Sequence, residues 1–182
     1  MKKFLYHDPK LLVYGFLIIF FASYGQTFFI ALFNDDIKYY YSLSDGQFGL
    51  LYALATTLSS LLIINFAKMI DYIDLRIYSL LITLGLLASC FAIYFLPSNI
   101  LFLFIIIFTL RFFGQGAMNH AGITSMTRYF GKNRGKAISV GNLGGMTGVM
   151  FLPFLIVYLS DYFSFKQIWL FCGLSLLFFL PI

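Results

Sequence analysis

Residues 110–148 read LRFFGQGAMNHAGITSMTRYFGKNRGKAISVGNLGGMTG. Their first part extends an apolar run, LFLFIIIFTL at 101–110, and sets Arg111 into it. Their middle is a basic turn carrying Arg128, Lys132, Arg134 and Lys136. Their last part is apolar again, with glycine at 141, 144, 145 and 148. The pattern predicts one membrane-spanning helix, a charged hinge, and the next spanning helix.

Arg111 decides how that first helix is used. If the helix enters the membrane near Ile100, Arg111 lies roughly 16 Å along it at about 1.5 Å per residue. The hydrocarbon core is ~30 Å thick, which places the arginine near the midplane. A charge there costs at least ~2.5–3.5 kcal/mol, so it faces a bundle interior or a wet cavity. Advancing by about 100° per residue, Gln115, Met118, Asn119, Gly122 and Ser125 point broadly with Arg111, while Phe112, Phe113 and Gly116 point elsewhere. Such a stripe lines either a solute cavity or an interhelical hydrogen-bond network.

Composition sets the class. Of 182 residues, 61% are hydrophobic and only 10% charged, against about 25% charged in soluble domains. Mean hydropathy is +0.91. The chain is expected to be an all-α, multi-pass membrane protein. Its net charge of +5 comes from cations in short loops between apolar runs, which argues against a nucleic-acid partner. All seven acids are aspartates. Cys90 and Cys172 lie inside predicted helices and read as buried apolar thiols, with no disulfide framework or metal-ligand spacing. No metal or cofactor is expected.

Six helices are predicted, at about 11–33, 45–66, 77–96, 100–126, 137–159 and 165–182, forming a single bundle over 1–182. The run from Leu11 to Phe33 is too long for a signal-peptide core and reads as the first span. Ser23, Gln26, Thr27 and Asn34 share a face of it, a second candidate cavity wall or another hydrogen-bonded contact. Residues 34–46 read as a loop in which Tyr39, Tyr40 and Tyr41 suit a membrane interface, with Ser44 capping the next helix. Ala137, Gly141, Gly144, Gly145 and Gly148 make a small-residue groove for close approach of another backbone, expected to serve a sliding or rocking contact. Pro153 is expected to kink that helix, and Trp169 to lie near the interface.

Cation placement predicts topology. Lys2, Lys3, Lys10, Lys68, Arg76, Arg128, Lys132, Arg134 and Lys136 fall on one side, and only Lys38 and Lys166 on the other. The positive side is expected to be cytoplasmic, which puts the N-terminus inside a cytoplasmic (inner) membrane. Helices one to three then run opposite to helices four to six, the arrangement of two inverted three-helix repeats.

With these residues in view, the chain resembles the N-terminal six-helix half of a major facilitator superfamily transporter. The turn after the second helix is similar to the family signature Gly-x-x-x-Asp-Arg-x-Gly-Arg-Arg. Asp71 matches its aspartate and Arg76 its last basic residue, while Ala67, Tyr72, Asp74 and Leu75 depart from it. The fourth helix resembles Arg-x-x-Gln-Gly through Arg111, with Gln115 and Gly116 arriving one residue late. RYFGKNRGKA resembles the basic connection between helices four and five, whereas the fifth helix lacks the Gly-Pro pair of the antiporter signature. The resemblance implies alternating access by two six-helix bundles, a cytoplasmic gate involving Asp71 and Arg76, and a partner that is either a missing C-terminal half or a second copy. Asp71 as a solvated loop charge is the other reading.

The function expected is secondary transport of a small solute, an organic anion being the favoured class, with a co-transported ion or proton as an open partner. Arg111 would neutralise the anion, Gln115 and Asn119 would orient it, and Ser23, Gln26 and Thr27 would face it from the first helix. His120 is a candidate for proton coupling or for simple packing. The alternatives are a non-transporting membrane scaffold and a half-size homodimeric transporter. An enzyme is not expected, because the chain has no HExxH, no membrane aspartate pair and no Gly-x-Ser-x-Gly.

Overall fold

A computed structural model describes residues 8–179. Every regular element among them is helical. A backbone amide in hydrocarbon must find its partner within the protein, and a helix closes those bonds within one segment. The elements are α1 (Pro9–Phe21), α2 (Thr27–Ala31), α3 (Asn34–Tyr41), α4 (Asp45–Phe66), α5 (Leu75–Phe95), α6 (Ile100–Leu110), α7 (Asn119–Phe130), α8 (Arg134–Ser160) and α9 (Phe165–Leu177). A π-helical segment, Arg111–Met118, joins α6 to α7.

Three stretches are long and apolar enough to cross a membrane: Asp45–Asp71, Leu75–Phe95 and Ile100–Ser160. The last is divided into two, the column from α6 to α7 and then α8, because α7 stops at Gly131, whose φ of 44° and ψ of −113° a Cβ would strain. Pro9–Gly25 and Phe165–Leu177 are apolar but shorter. The start of α4 is set by a reciprocal cap: Gln47 N–H donates to Ser44 Oγ at 3.3 Å, and Ser44 N–H donates to Gln47 Oε1 at 2.9 Å.

Two expectations change. The predicted helix 11–33 is not continuous: it passes into a 3₁₀ turn at Ala22–Gly25, becomes extended at Gln26 (φ −79°, ψ 152°), and restarts as α2. The supposed loop after Asn34 is the helix α3, ended by Ser42 in the left-handed region at φ 53°. Trp169 is fully buried within the protein, with its ring centroid 5.3 Å from Phe29 and 5.2 Å from Phe33. As expected, Pro153 falls inside a spanning helix, α8, which runs over Arg134–Ser160. Residues 180–182 of the predicted sixth helix, and Lys2 and Lys3, lie outside the described residues.

The Arg111 helix is the central column. α6, the π segment and α7 between them touch α1, α4, α5 and α8, while α5 packs on α9 and α1 on α8. Glycines make these approaches possible. A Cβ on Gly144 would sit 2.0 Å from the Phe16 carbonyl oxygen, and one on Gly148 would sit 2.2 Å from Ser23 Oγ. The glycine groove of α8, including Gly141 and Gly145 beside Ile19, therefore receives α1 of the same bundle. Gly144→Ala is expected to destabilise the bundle by about 1–3 kcal/mol, because the obstacle is backbone that cannot rotate away. Thermal unfolding in detergent checks this.

The two ends of the bundle differ in charge. At one end, Lys10 and Arg76 line one cavity, and Arg128 pairs with Asp71. At the other, Lys166 Nζ donates to Tyr40 Oη at 3.0 Å and lies 4.4 Å from that ring's centroid. There Lys38 bridges Asp35 at 2.9 Å and Asp45 at 2.6 Å. Its ammonium is held above the ordinary lysine value, first by the hydrogen bond to Asp45 and then by that to Asp35. The basic turns read from sequence thus share one end.

Candidate functional site around Arg111

Gly25 has among the weakest helix propensities of any residue, and at Gly25–Gln26 the first helix lets go of its backbone bonds. A carbonyl freed at membrane depth must be satisfied from elsewhere in the protein. Arg111 does this. Its Nη1 donates to the Gly25 carbonyl at 3.2 Å and to Thr27 Oγ1 at 2.9 Å. The buried cation and the broken helix thus solve each other's problem.

The crossing is tight. A Cβ on Gly25 would lie 2.1 Å from the Leu110 carbonyl oxygen and 2.8 Å from the Gly114 Cα. A Cβ on Gly114 would lie 2.7 Å from the Gly25 Cα. Opposite the break, the column itself widens into the π segment, a departure that recurs at functional sites.

Tyr52 of α4 closes the third side. Its hydroxyl donates to Thr27 Oγ1 at 3.2 Å, and the Arg111 guanidinium carbon lies 5.6 Å from its ring centroid. Sequence reasoning missed this residue. The available signal was a lone hydroxyl between Phe48 and Thr56 in an otherwise apolar run.

What remains open defines the chemistry. Arg111 is 6% exposed, and its Nε is buried without a partner. Among the described residues neither Nε nor Nη2 donates a hydrogen bond, and no acid pairs with Arg111. Gln115 Oε1 is likewise buried and unpartnered. Thr27 accepts two bonds, leaving its own hydroxyl proton unused. The fork edge of Arg111 and the adjacent Thr27 hydroxyl, together with the Gln115 amide one turn along the column, therefore keep spare hydrogen-bonding capacity.

The other predicted residues divide. Gln26 sits at the break, half-buried, and the backbone of Gln115 abuts Gly25. Ser23 turns away, with its Oγ against Gly148 of α8. Asn119 is half-buried with no side-chain hydrogen bond, while Met118, Gly122 and Ser125 are buried. His120 is exposed, with Nε2 3.4 Å from Thr124 Oγ1, away from Arg111's contacts. Cys90 and Cys172 are free and buried. Among the described residues no group of His, Cys, Asp or Glu could hold a metal ion.

The candidate gate residues separate too. Asp71 Oδ1 accepts from Arg128 Nη2, and Arg128 Nη1 donates to the Ile70 carbonyl at 3.0 Å, tying the turn after α4 to the end of α7. Arg76 has no part in that link and faces a different cavity. The Asp71–Arg128 pair is largely exposed, so Asp71→Asn is expected to lower stability by no more than about 1 kcal/mol. A melting curve showing a loss of about 3 kcal/mol or more, typical of breaking a buried pair, would contradict the surface character of this bridge.

A model of the Major Facilitator Superfamily matches residues 15–182. No curated protein and no solved structure is a match for the chain. The matched region includes the broken first helix, the Arg111 column and the Asp71 turn, and the all-helical, apolar architecture agrees with it. The chain belongs to the Major Facilitator Superfamily, whose members are membrane transporters.

Proposed function

We propose that the chain carries a small organic anion, through a site centred on Arg111, by alternating access. The observation that supports this is the unoccupied Nε–Nη2 edge of Arg111, which suits a carboxylate in a bidentate arrangement. The Thr27 hydroxyl would donate to the same anion, and Gln115 Oε1 would accept from a hydroxyl or amine elsewhere on the solute. Gln26 sits at the helix break, where a small change of backbone would alter access. Ser23 and Asn119 would act on shape rather than by direct contact.

In this reading six spans form two inverted triplets, α1 and α2 together serving as the first. The end bearing Lys10, Arg76 and Arg128 faces the cytoplasm. A second six-helix bundle completes the cavity, and the Asp71–Arg128 bridge steadies its inner rim.

The test is uptake by proteoliposomes offered radiolabelled monocarboxylates, dicarboxylates, neutral analogues and cationic analogues. Concentrative uptake of a carboxylate that disappears in Arg111→Ala supports the site. Wild-type uptake by that variant, or selectivity for cations, would overturn it.

A further inference from the structure

A cavity of about 570 Å³ lies at the basic end between α1, α5 and Phe179, which follows α9. Arg76, Ser79 and Thr83 occupy one stripe of α5, three to four residues apart, and all line it. Lys10 faces them from α1. Neither Lys10 nor Arg76 takes part in an ion pair among the described residues. Asp8 also lines the rim, where its carboxylate accepts from the Leu11 N–H at 3.1 Å as the cap of α1. Among the described residues the rim thus carries two cations against one acid.

The floor differs from the rim. Tyr14 and Ser79 hydroxyls meet at 2.7 Å, and Ser79 donates to the Leu75 carbonyl at 2.7 Å, so both of their protons are used. Thr83 is 1% exposed, and its Oγ1 is buried with no partner. A buried hydroxyl without a partner in a cavity wall is a donor that a group reaching into the wall can satisfy. The wall continues onto Leu80, which is 45% exposed on a helix long enough to cross the membrane, so the cavity opens sideways toward acyl chains.

We propose that this cavity binds an anionic glycerophospholipid from the adjoining leaflet. The phosphate sits between Lys10 and Arg76, an ester carbonyl deeper in the cavity accepts from Thr83, and an acyl chain leaves along Leu80. A free phosphate satisfies only the rim and leaves Thr83 open, which is why the lipid is the occupant. The site is separate from Arg111 and does not depend on what the chain transports.

Native mass spectrometry of the full chain in detergent, titrated with phosphatidylglycerol, tests it. Two interfacial cations contribute about 1 kcal/mol each, so Lys10→Ala with Arg76→Ala should weaken retention by about 30-fold. Thr83→Val, which keeps shape and both cations, should also weaken it. Lys10 and Arg76 are exposed, so an unchanged helical circular dichroism signal should show that the double variant is folded. The proposal fails if that folded variant retains phosphatidylglycerol as the wild type does. It fails equally if phosphatidylcholine is retained as tightly, or if inorganic phosphate displaces the lipid at comparable concentration.

Discussion

Arg111→Lys is expected to abolish most solute binding although the charge is kept. A lysine ammonium is a compact point charge whose three donors share one nitrogen, whereas the guanidinium spends Nη1 on the Gly25 carbonyl and Thr27 and has its other edge without a partner. Lysine can hold the broken helix or offer itself to an anion, but it cannot present a planar fork to both. Loss of one charge-assisted hydrogen bond is worth about 1.5–3 kcal/mol, which is a fall in affinity of roughly 10- to 100-fold at about 1.4 kcal/mol per decade. Isothermal titration or tryptophan quenching with the preferred carboxylate measures it. Equal affinity in the lysine variant would mean that charge alone, and not the fork, matters. Tyr52→Phe provides the comparison: it removes the bond to Thr27 but keeps the ring beside the cation, so the expected loss is nearer tenfold.

Gly25→Ala is expected to be among the most damaging single-methyl changes, with a loss of about 3 kcal/mol or more, because it meets three backbone atoms and also displaces the acceptor of Arg111. Propensity alone predicts the opposite, because alanine favours helix over glycine by about 1 kcal/mol and would tend to heal the break. The structure decides against it. The new methyl would lie 2.1 Å from the Leu110 carbonyl oxygen and 2.8 Å from both the Gln115 amide nitrogen and the Gly114 Cα, all backbone atoms of the column. α1 would have to back away from the column, and Arg111 would lose its acceptor. Gly49→Ala, in α4 with nothing near its would-be Cβ, should instead stabilise by about 0.5–1 kcal/mol. Melting temperatures for the two variants should therefore move in opposite directions. A neutral Gly25→Ala would show that the break is not held by the crossing.

Much of this protein can be read along the chain because hydropathy and helix boundaries are local properties. The capping box at Ser44 and Gln47, the apolar runs and the basic turn from Arg128 to Lys136 each declare themselves within a few residues. Arg111 also declares itself, since a charge in LFLFIIIFTLR has no bland explanation in hydrocarbon. The helical wheel was less dependable. It assumed 3.6 residues per turn across Arg111–Met118, where the helix is π, and a continuous first helix, where it is broken. Ser23 and Thr27, one turn apart on paper, consequently face different neighbours, Gly148 and Arg111.

By itself, then, the sequence determined the membrane class, the long apolar helices, their charged end and the presence of a buried arginine needing a partner. Which partner it finds was decided only in three dimensions. The Gly25–Gly114 crossing, the freed carbonyl, the Tyr52 ring and the pairing of Asp71 with Arg128 rather than Arg76 join residues from 57 to 89 positions apart, Tyr52–Thr27 excepted at 25. Single-chain patterns record how much each residue dislikes water. They do not record which backbones glycine allows to meet, and at this site that meeting creates the acceptor that Arg111 binds.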